Sequence, residues 1–222
     1  MKHYLKVKRI VDIILSFIGL LVSFPLMVVI SIAIKLDSKG PILFKQERLG
    51  LNGKLFHMYK FRSMVVGAEK GGVYETKGDP RVTRVGKFIR KTSFDEFPQF
   101  FNILKGDMSL IGPRPTLPYH PWPLEQYSDE QIIRFKVRPG ITGWAQINGR
   151  KDLTWGKRIQ FDVEYVQNVS FFFDLKIFLK TIIKVVMMKD NLNIGETEQI
   201  KDRSFYTENT ELATTNEEGE LD

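Results

Sequence analysis

Residues 10–36 read IVDIILSFIGLLVSFPLMVVISIAIKL, and what this run becomes decides the fold. As a single helix it would extend roughly 40 Å, enough to cross a bilayer. A secretory signal peptide fits less well, because its apolar region is shorter and ends at a small-residue cleavage site. Two features oppose a simple crossing. Pro25 sits in mid-run, where it removes a helix hydrogen bond and favours a kink. Basic residues flank both ends, Lys2, Lys6, Lys8 and Arg9 before and Lys35 and Lys39 after, which places both ends on the cytoplasmic side. A kinked, re-entrant helix satisfies both observations; a spanning helix and a soluble core helix are the alternatives. Ser23 is positioned to give its hydroxyl to backbone carbonyls freed near the kink. Asp12 is expected at the interface, paired with Arg9 one helical turn earlier. That pair would set insertion depth and take no part in catalysis.

Outside this run the 222-residue chain is basic, with a net charge of +7 and a pI near 9.4. No Lys or Arg follows Arg203, whereas Glu208, Glu211, Glu217, Glu218, Glu220 and Asp222 do. Setting those six acids aside leaves +13 on residues 1–203. A cationic body implies anionic partners: phospholipid head groups, nucleotides or nucleic acid. The chain has no cysteine, which excludes disulfides and thiolate metal sites. Its length suits one domain with a real core, or one domain plus an appendage.

Residues 40–64 read as two short strands around a Gly50/Asn52-Gly53 turn. Residues 65–83 are Gly-rich and polar, a mobile loop. Residues 84–91 begin a basic helix or turn, with Lys87, Arg90 and Lys91, and a further helix is expected over 92–105. The five prolines of 112–123 dictate an extended loop. Residues 154–189 read as helical, their aromatic and aliphatic residues interleaved with Lys176, Lys180 and Lys184; this suits a bilayer interface or a helix packed on the core. The acidic tail is expected to be disordered. The reading is therefore mixed α/β, mostly helical: a membrane helix with its basic N-terminus at 1–38, a cytosolic domain at 39–190 with a β-hairpin and interfacial amphipathic helices, and an acidic tail at 191–222.

The stretch richest in chemistry is TSFDEFPQFFNILKGDMSLIGPRP, residues 92–115. Ser93-x-x-Glu96 has capping-box spacing, although Pro98 moves the best start a residue or so later. Either way Asp95 and Glu96 fall in a first helical turn, and capping alone can account for them. Lys87, Arg90, Lys91 and Arg114 crowd the same region. A carboxylate can attack phosphorus as a covalent nucleophile, and paired acids can hold Mg²⁺ against a diphosphate. Lys60, Arg62, Arg90, Arg114, Arg138 and Arg150 are the candidate cations for a phosphate. Arg114, between two prolines, has the stiffest backbone. The Gly-punctuated run from Arg138 to Arg150, which includes Gln146, has neither Walker nor dinucleotide spacing. His3, His57 and His120 are isolated.

These motifs together resemble the bacterial sugar transferase family, the monotopic polyprenyl-phosphate phosphoglycosyl transferases. The matching residues are Lys8-Arg9-Ile10-Val11-Asp12, Pro25, Lys60-Phe61-Arg62-Ser63-Met64, Asp95-Glu96, the run from Phe101 to Ser109, Gly112-Pro113-Arg114-Pro115 and the run from Arg138 to Arg150. The resemblance extends over about residues 5–190 and looks like the minimal, catalytic-domain-only form. It implies a re-entrant helix-break-helix in the cytoplasmic leaflet of the bacterial inner membrane. It implies that Asp95 attacks the β-phosphate of a UDP-sugar, releases UMP, and yields its phosphosugar to undecaprenyl phosphate. Glu96 would be its partner and Mg²⁺ the metal at Asp95. Arg90 resembles a contact to phospholipid or phosphate head groups, and Arg114 a contact to substrate phosphate or uridine. Lys60, Arg62, Arg138, Gln146 and Arg150 join the expected substrate-binding set, and Arg9, Asp12, Ser23 and Pro25 the anchor. Members often carry Ser-Pro at the break; here Phe24 precedes Pro25. The product would open capsule, exopolysaccharide or glycoconjugate assembly, with no nucleic-acid partner. Two other readings fit the residues: an anchored enzyme that moves another phosphoryl group or works by single displacement, and a non-enzymatic basic membrane adaptor or lipid-binding protein.

Overall fold

The computed structural model describes residues 2–72, 78–149 and 153–186. The acidic tail, Arg150 and residues 187–189 of the expected C-terminal helical stretch lie outside them. The apolar run becomes helix α1, Lys2–Asp37, continuous through Pro25. At 36 residues it is about 54 Å long. Ser23 Oγ donates to Gly19 O at 2.6 Å. The carbonyl that Pro25 frees is that of Leu21, so the hydroxyl serves a different oxygen from the expected one.

One stripe of α1 is buried: Asp12, Ser16, Ser23, Met27, Ile30 and Ile34, at the three-, four- and seven-residue spacings of a single helix face. The other face leaves Ile10, Ile14, Leu21, Val22, Phe24, Val29 and Ile32 exposed. The stripe rests on the folded body from end to end. Near the start, Lys8 Nζ meets Asp174 at 2.8 Å. In the middle, a Cβ on Gly19 would lie 3.0 Å from the Phe100 ring, so a larger residue would force the two apart. At the end, Asp37 accepts the Val85 amide at 2.9 Å.

The expected Arg9–Asp12 pair gives way to two longer-range ties. Asp12 is buried and accepts Ser109 Oγ at 2.7 Å and the Leu110 amide at 3.1 Å. Arg9 instead donates to Ile103 O at 2.6 Å and Leu104 O at 3.1 Å. A buried carboxylate gains more from two fixed donors than from a mobile guanidinium, and a helix C-terminus attracts a cation.

The hairpin forms as read. Strands β1 (Leu43–Leu49) and β2 (Leu55–Phe61) pair antiparallel from Leu43↔Phe61 to Leu49↔Leu55. Asn52 takes the left-handed turn conformation at φ 56°, which Asn tolerates. In the 65–83 loop, residues 73–77 lie outside the described set. The rest of the loop is tied by Arg81, whose Nη2 meets Asp79 Oδ2 at 2.6 Å and whose Nη1 meets Ala68 O at 2.9 Å.

Helix α2 is Arg84–Lys91, capped by the Thr83 hydroxyl on the Gly86 amide. The stretch 92–105 is not one helix. Ser93 is left-handed at φ 60°, Phe94–Glu96 is a 3₁₀ turn, and helix α3 runs only Gln99–Lys105. Ser93 does not cap the turn, so the capping box does not form. After α3, strand β3 (Ser109–Ile111) runs parallel to β4 (Gly140–Thr142). A Cβ on Gly140 would fall 2.1 Å from the Gly112 amide nitrogen, so only glycine allows this approach. The proline-rich 112–123 segment lies between them without regular structure. Helices α4 (Trp144–Asn148), α5 (Trp155–Gln167) and α6 (Phe171–Val186) complete the order. Ile111, Trp144, Ile147, Tyr165, Val166 and Ile177 pack where α4, α5 and α6 meet β3. Tyr4 and Tyr165 both donate to Asp174, at 2.6 and 2.7 Å, and lock α6 to the start of α1.

Asp12→Ala leaves the Leu110 amide without its acceptor, at about 1–3 kcal/mol, while the Ser109 hydroxyl can turn to Ile111 O, 3.0 Å away. Chemical denaturation in detergent should register that loss, while Ile14→Ala, on the exposed face, leaves the midpoint near wild type.

Candidate active site

Asp95 and Glu96 are presented by the short turn between α2 and α3. Phe94 and Phe97, three residues apart, fall on one side of a 3₁₀ spiral. Their ring centroids are 5.0 Å apart and both pack against the cluster that Met27, Ile30 and Ile34 of α1 form with Phe61 and Ile89. Asp95 and Glu96 therefore face away, towards β2. There Lys60 shares its strand face with the buried Phe56 and Met58. Lys60 Nζ donates to Glu96 Oε1 at 2.8 Å and lies 3.7 Å from Asp95 Oδ2. Arg114, from the proline loop, brings Nη1 to 3.6 Å from the same Glu96 oxygen. Arg90, on α2, donates to Ser63 Oγ at 3.3 Å.

Burial raises the Asp95 carboxyl above the ordinary carboxylate range and the neighbouring Glu96 adds to this; Lys60, Arg90 and Arg114 pull it back down. The two acids are not equivalent. Glu96 is bonded directly by Lys60, whereas Asp95 lies beyond hydrogen-bond reach of that ammonium. Asp95 is thus the carboxylate with an oxygen to offer, in a site whose cations can receive a phosphate.

Five of the expected site residues come together: Lys60, Arg90, Asp95, Glu96 and Arg114. Three do not. Arg62 is buried and turned to the end of α1, donating to Lys39 O, to Ser38 O at 2.7 Å and to Ile34 O at 3.4 Å. It lies one residue past the end of β2, where the chain leaves the strand, and its guanidinium closes the C-terminus of α1. Arg138 Nε donates to Gly106 O at 2.8 Å, just past α3. Gln146 is buried in α4, its carboxamide without a hydrogen bond among the described residues. Arg150 lies outside them.

Asn102 was missed by the sequence reading. Fully buried, it donates to His57 O at 2.7 Å and accepts the Tyr59 amide at 2.9 Å. It staples the outer edge of β2 to α3 and so fixes Lys60 against the acids. Its only signal was a polar residue inside the apolar run Phe101-Asn102-Ile103-Leu104. Among the described residues, no three His, Asp or Glu side chains cluster in a way that would cage a metal. Mg²⁺ commonly takes one or two carboxylates and completes its shell with phosphate and water. Asp95 alone suits that mode.

The family model described as bacterial sugar transferase matches residues 3–188. The UDP-glucose:undecaprenyl-phosphate glucose-1-phosphate transferase of Escherichia coli (strain K12) is 46% identical over 183 residues, 80% of this chain and 39% of that protein. The UDP-N-acetylgalactosamine-undecaprenyl-phosphate N-acetylgalactosaminephosphotransferase of Aeromonas hydrophila is 45% identical over 187 residues, 81% of this chain and 43% of that protein. The chain thus spans about two fifths of those two relatives. It spans most of the uncharacterized sugar transferase EpsL of Bacillus subtilis (strain 168): 45% identity over 181 residues, 81% of this chain and 87% of that protein. With a match over most of its length, the chain belongs to the bacterial sugar transferase family.

Proposed function

We propose that this protein transfers a sugar 1-phosphate from a UDP-sugar to undecaprenyl phosphate, or a similar polyprenyl phosphate, and releases UMP. The observation that carries the reading is Asp95, partly withdrawn from water, ringed by Lys60, Arg90 and Arg114, with Glu96 holding two of those cations in place. An Asp95 carboxylate oxygen attacks the β-phosphorus of the donor. The phosphoanhydride bond breaks, its electron pair leaves with UMP, and a sugar-phosphoryl aspartate remains. A phosphate oxygen of the polyprenyl acceptor then attacks the same phosphorus and expels the Asp95 carboxylate. The products are UMP and a polyprenyl-diphosphate-sugar, the form on which capsule, exopolysaccharide or glycoconjugate chains can be built.

Lys60 and Arg114 neutralise charge on the transferring phosphate, and Arg90 draws the Asp95 carboxyl towards its ionised form. Mg²⁺ held by Asp95 and the diphosphate would supply Lewis-acid stabilisation of the leaving phosphate. The relatives' names include both glucose and N-acetylgalactosamine, so a panel of UDP-sugars is the appropriate assay.

The acceptor lives in lipid and the donor in water, so the site belongs at their boundary. The described body touches α1 at its start, middle and end. A helix crossing the bilayer would drag that body through the hydrocarbon, which favours a helix seated in the cytoplasmic leaflet with both ends on one side. The exposed apolar faces of α1 and α6 (Phe171, Phe172, Leu175, Phe178, Leu179 and Ile182) would meet lipid. Lys176 and Lys180, 5.0 and 5.5 Å from the Trp144 ring, would then lie at head-group level.

Asp95→Asn should lower UMP release by roughly 10⁴-fold or more while membrane association persists; wild-type turnover in that variant would sink the assignment of the nucleophile. No turnover of wild-type protein with any UDP-sugar, acceptor and Mg²⁺ would leave the membrane-adaptor reading in its place. Lys60→Met removes a charge that holds the Asp95 carboxyl down. The acid limb of the kcat/KM profile should therefore move to higher pH, and an unmoved limb would contradict the pairing. Because the chain lacks cysteine, Lys2→Cys and Lys39→Cys give clean labelling sites, and both should react only from the cytoplasmic side.

A further inference from the structure

The loop that carries Arg114 is held by four successive carbonyls, each with its own donor. Pro113 O accepts the Gly140 amide at 2.9 Å. Pro115 O accepts Arg48 Nη1 at 3.1 Å, and Thr116 O accepts the Leu49 amide at 2.9 Å. The carbonyl of Arg114 itself accepts Arg134 Nη2 at 2.8 Å. The remaining donors of Arg134 are as specific: Nη1 reaches Thr116 Oγ1 at 3.2 Å, and Nε and Nη2 fork onto Asp162 Oδ2 at 3.1 and 2.7 Å. The two charged side chains are 2% and 3% exposed.

A buried ion pair is a poor way to gain stability, because an apolar pair of the same volume does as well or better. What an apolar pair lacks is a donor for the Arg114 carbonyl. Pro113 and Pro115 contribute no amide hydrogens to this turn, so it cannot bond to itself in the usual way and depends on donors brought from outside. Arg134 is the one such donor that acts on the residue whose side chain points at Glu96.

We propose that Arg134, fixed by Asp162, is a positioning residue for phosphate transfer. It suspends the 113–116 turn so that the Arg114 guanidinium stands beside Glu96 where the donor's phosphate is received. The proposal rests on the transferase reading above.

The test separates positioning from stability. Arg134→Met alone leaves Asp162 buried without its partner and should lower both the thermal midpoint and activity. Arg134→Met combined with Asp162→Leu removes both charges and should recover the midpoint. The proposal expects kcat/KM for the UDP-sugar to stay down by roughly 10- to 100-fold in that pair, mostly through KM. It expects the same pair, introduced into Arg114→Ala, to cost less than about 3-fold more, since both changes then act on one contact. Recovery of kcat/KM together with the midpoint, or losses that multiply in the Arg114→Ala background, would overturn it. Hydrogen exchange supplies the arm that does not need turnover. The 109–117 segment of the paired variant should exchange faster than in wild type, and unchanged protection there would also overturn the proposal. If wild-type protein turns over no UDP-sugar, the transferase reading fails, and the exchange arm still decides whether Arg134 holds the loop.

Discussion

The sideways packing of α1 against the body is the constraint on which the other arrangements rest. A long apolar helix ordinarily has a choice between lipid and protein, and this one gives one face to protein and leaves the other apolar and exposed. The second half of the buried stripe, Met27, Ile30 and Ile34, joins Phe61 and Ile89 in the cluster against which Phe94 and Phe97 pack. Those two rings aim Asp95 and Glu96 at Lys60. The polar ties at either end, Lys8 to Asp174 and Asp37 to the Val85 amide, keep the helix from sliding along its own length. Asp12 is the most exposed to error, since a carboxylate in an apolar stripe is costly unless its donors are already in place. Ser109 and the Leu110 amide are those donors, so the start of α1 is keyed to β3 by polar geometry, while its second half is held by apolar contact.

The site gathers charge from parts of the chain far apart in sequence and reconciles them locally. Lys60 comes from a strand, Arg90 from a helix, the acids from a 3₁₀ turn and Arg114 from a proline loop. Each is held by something other than the partner it meets in the site. Asn102 fixes the strand edge next to Lys60, Phe94 and Phe97 fix the turn, and Arg134 holds the carbonyl behind Arg114. Preorganisation of this kind is what phosphate chemistry asks of a protein, because charge must be waiting where it develops. It also explains the division between the two acids. Glu96 sits between Lys60 and Arg114, and Asp95 lies beyond hydrogen-bond reach of the Lys60 ammonium.

Several arginines that composition could not tell apart turn out to have structural work. Arg9, Arg62 and Arg138 all end on backbone carbonyls at or just beyond helix C-termini, two of them around α3 and one at the end of α1. Helix ends leave carbonyls without partners, and in a body this short of long helices many such ends are close together. A basic chain can therefore spend much of its positive charge internally. The net charge was a poor guide to which cations face the site.

The sequence by itself determined what local rules govern. Periodicity and length gave α1, strand alternation around an Asn-Gly turn gave the hairpin, prolines gave the irregular 112–123 loop, and the ordered motifs pointed to the family and to Asp95 and Glu96. The tertiary structure decided everything that depends on a partner distant in the chain. It took Asp12 away from Arg9 and gave it to β3, broke the expected 92–105 helix at a left-handed Ser93, and committed Arg62 to the carbonyls at the end of α1. It also brought Asn102, Arg134 and Asp162 into supporting roles that no spacing announced. The physical reason is the same in each case. A buried polar group must find a partner wherever the fold places one, and a single sequence specifies the need for that partner without specifying which residue meets it.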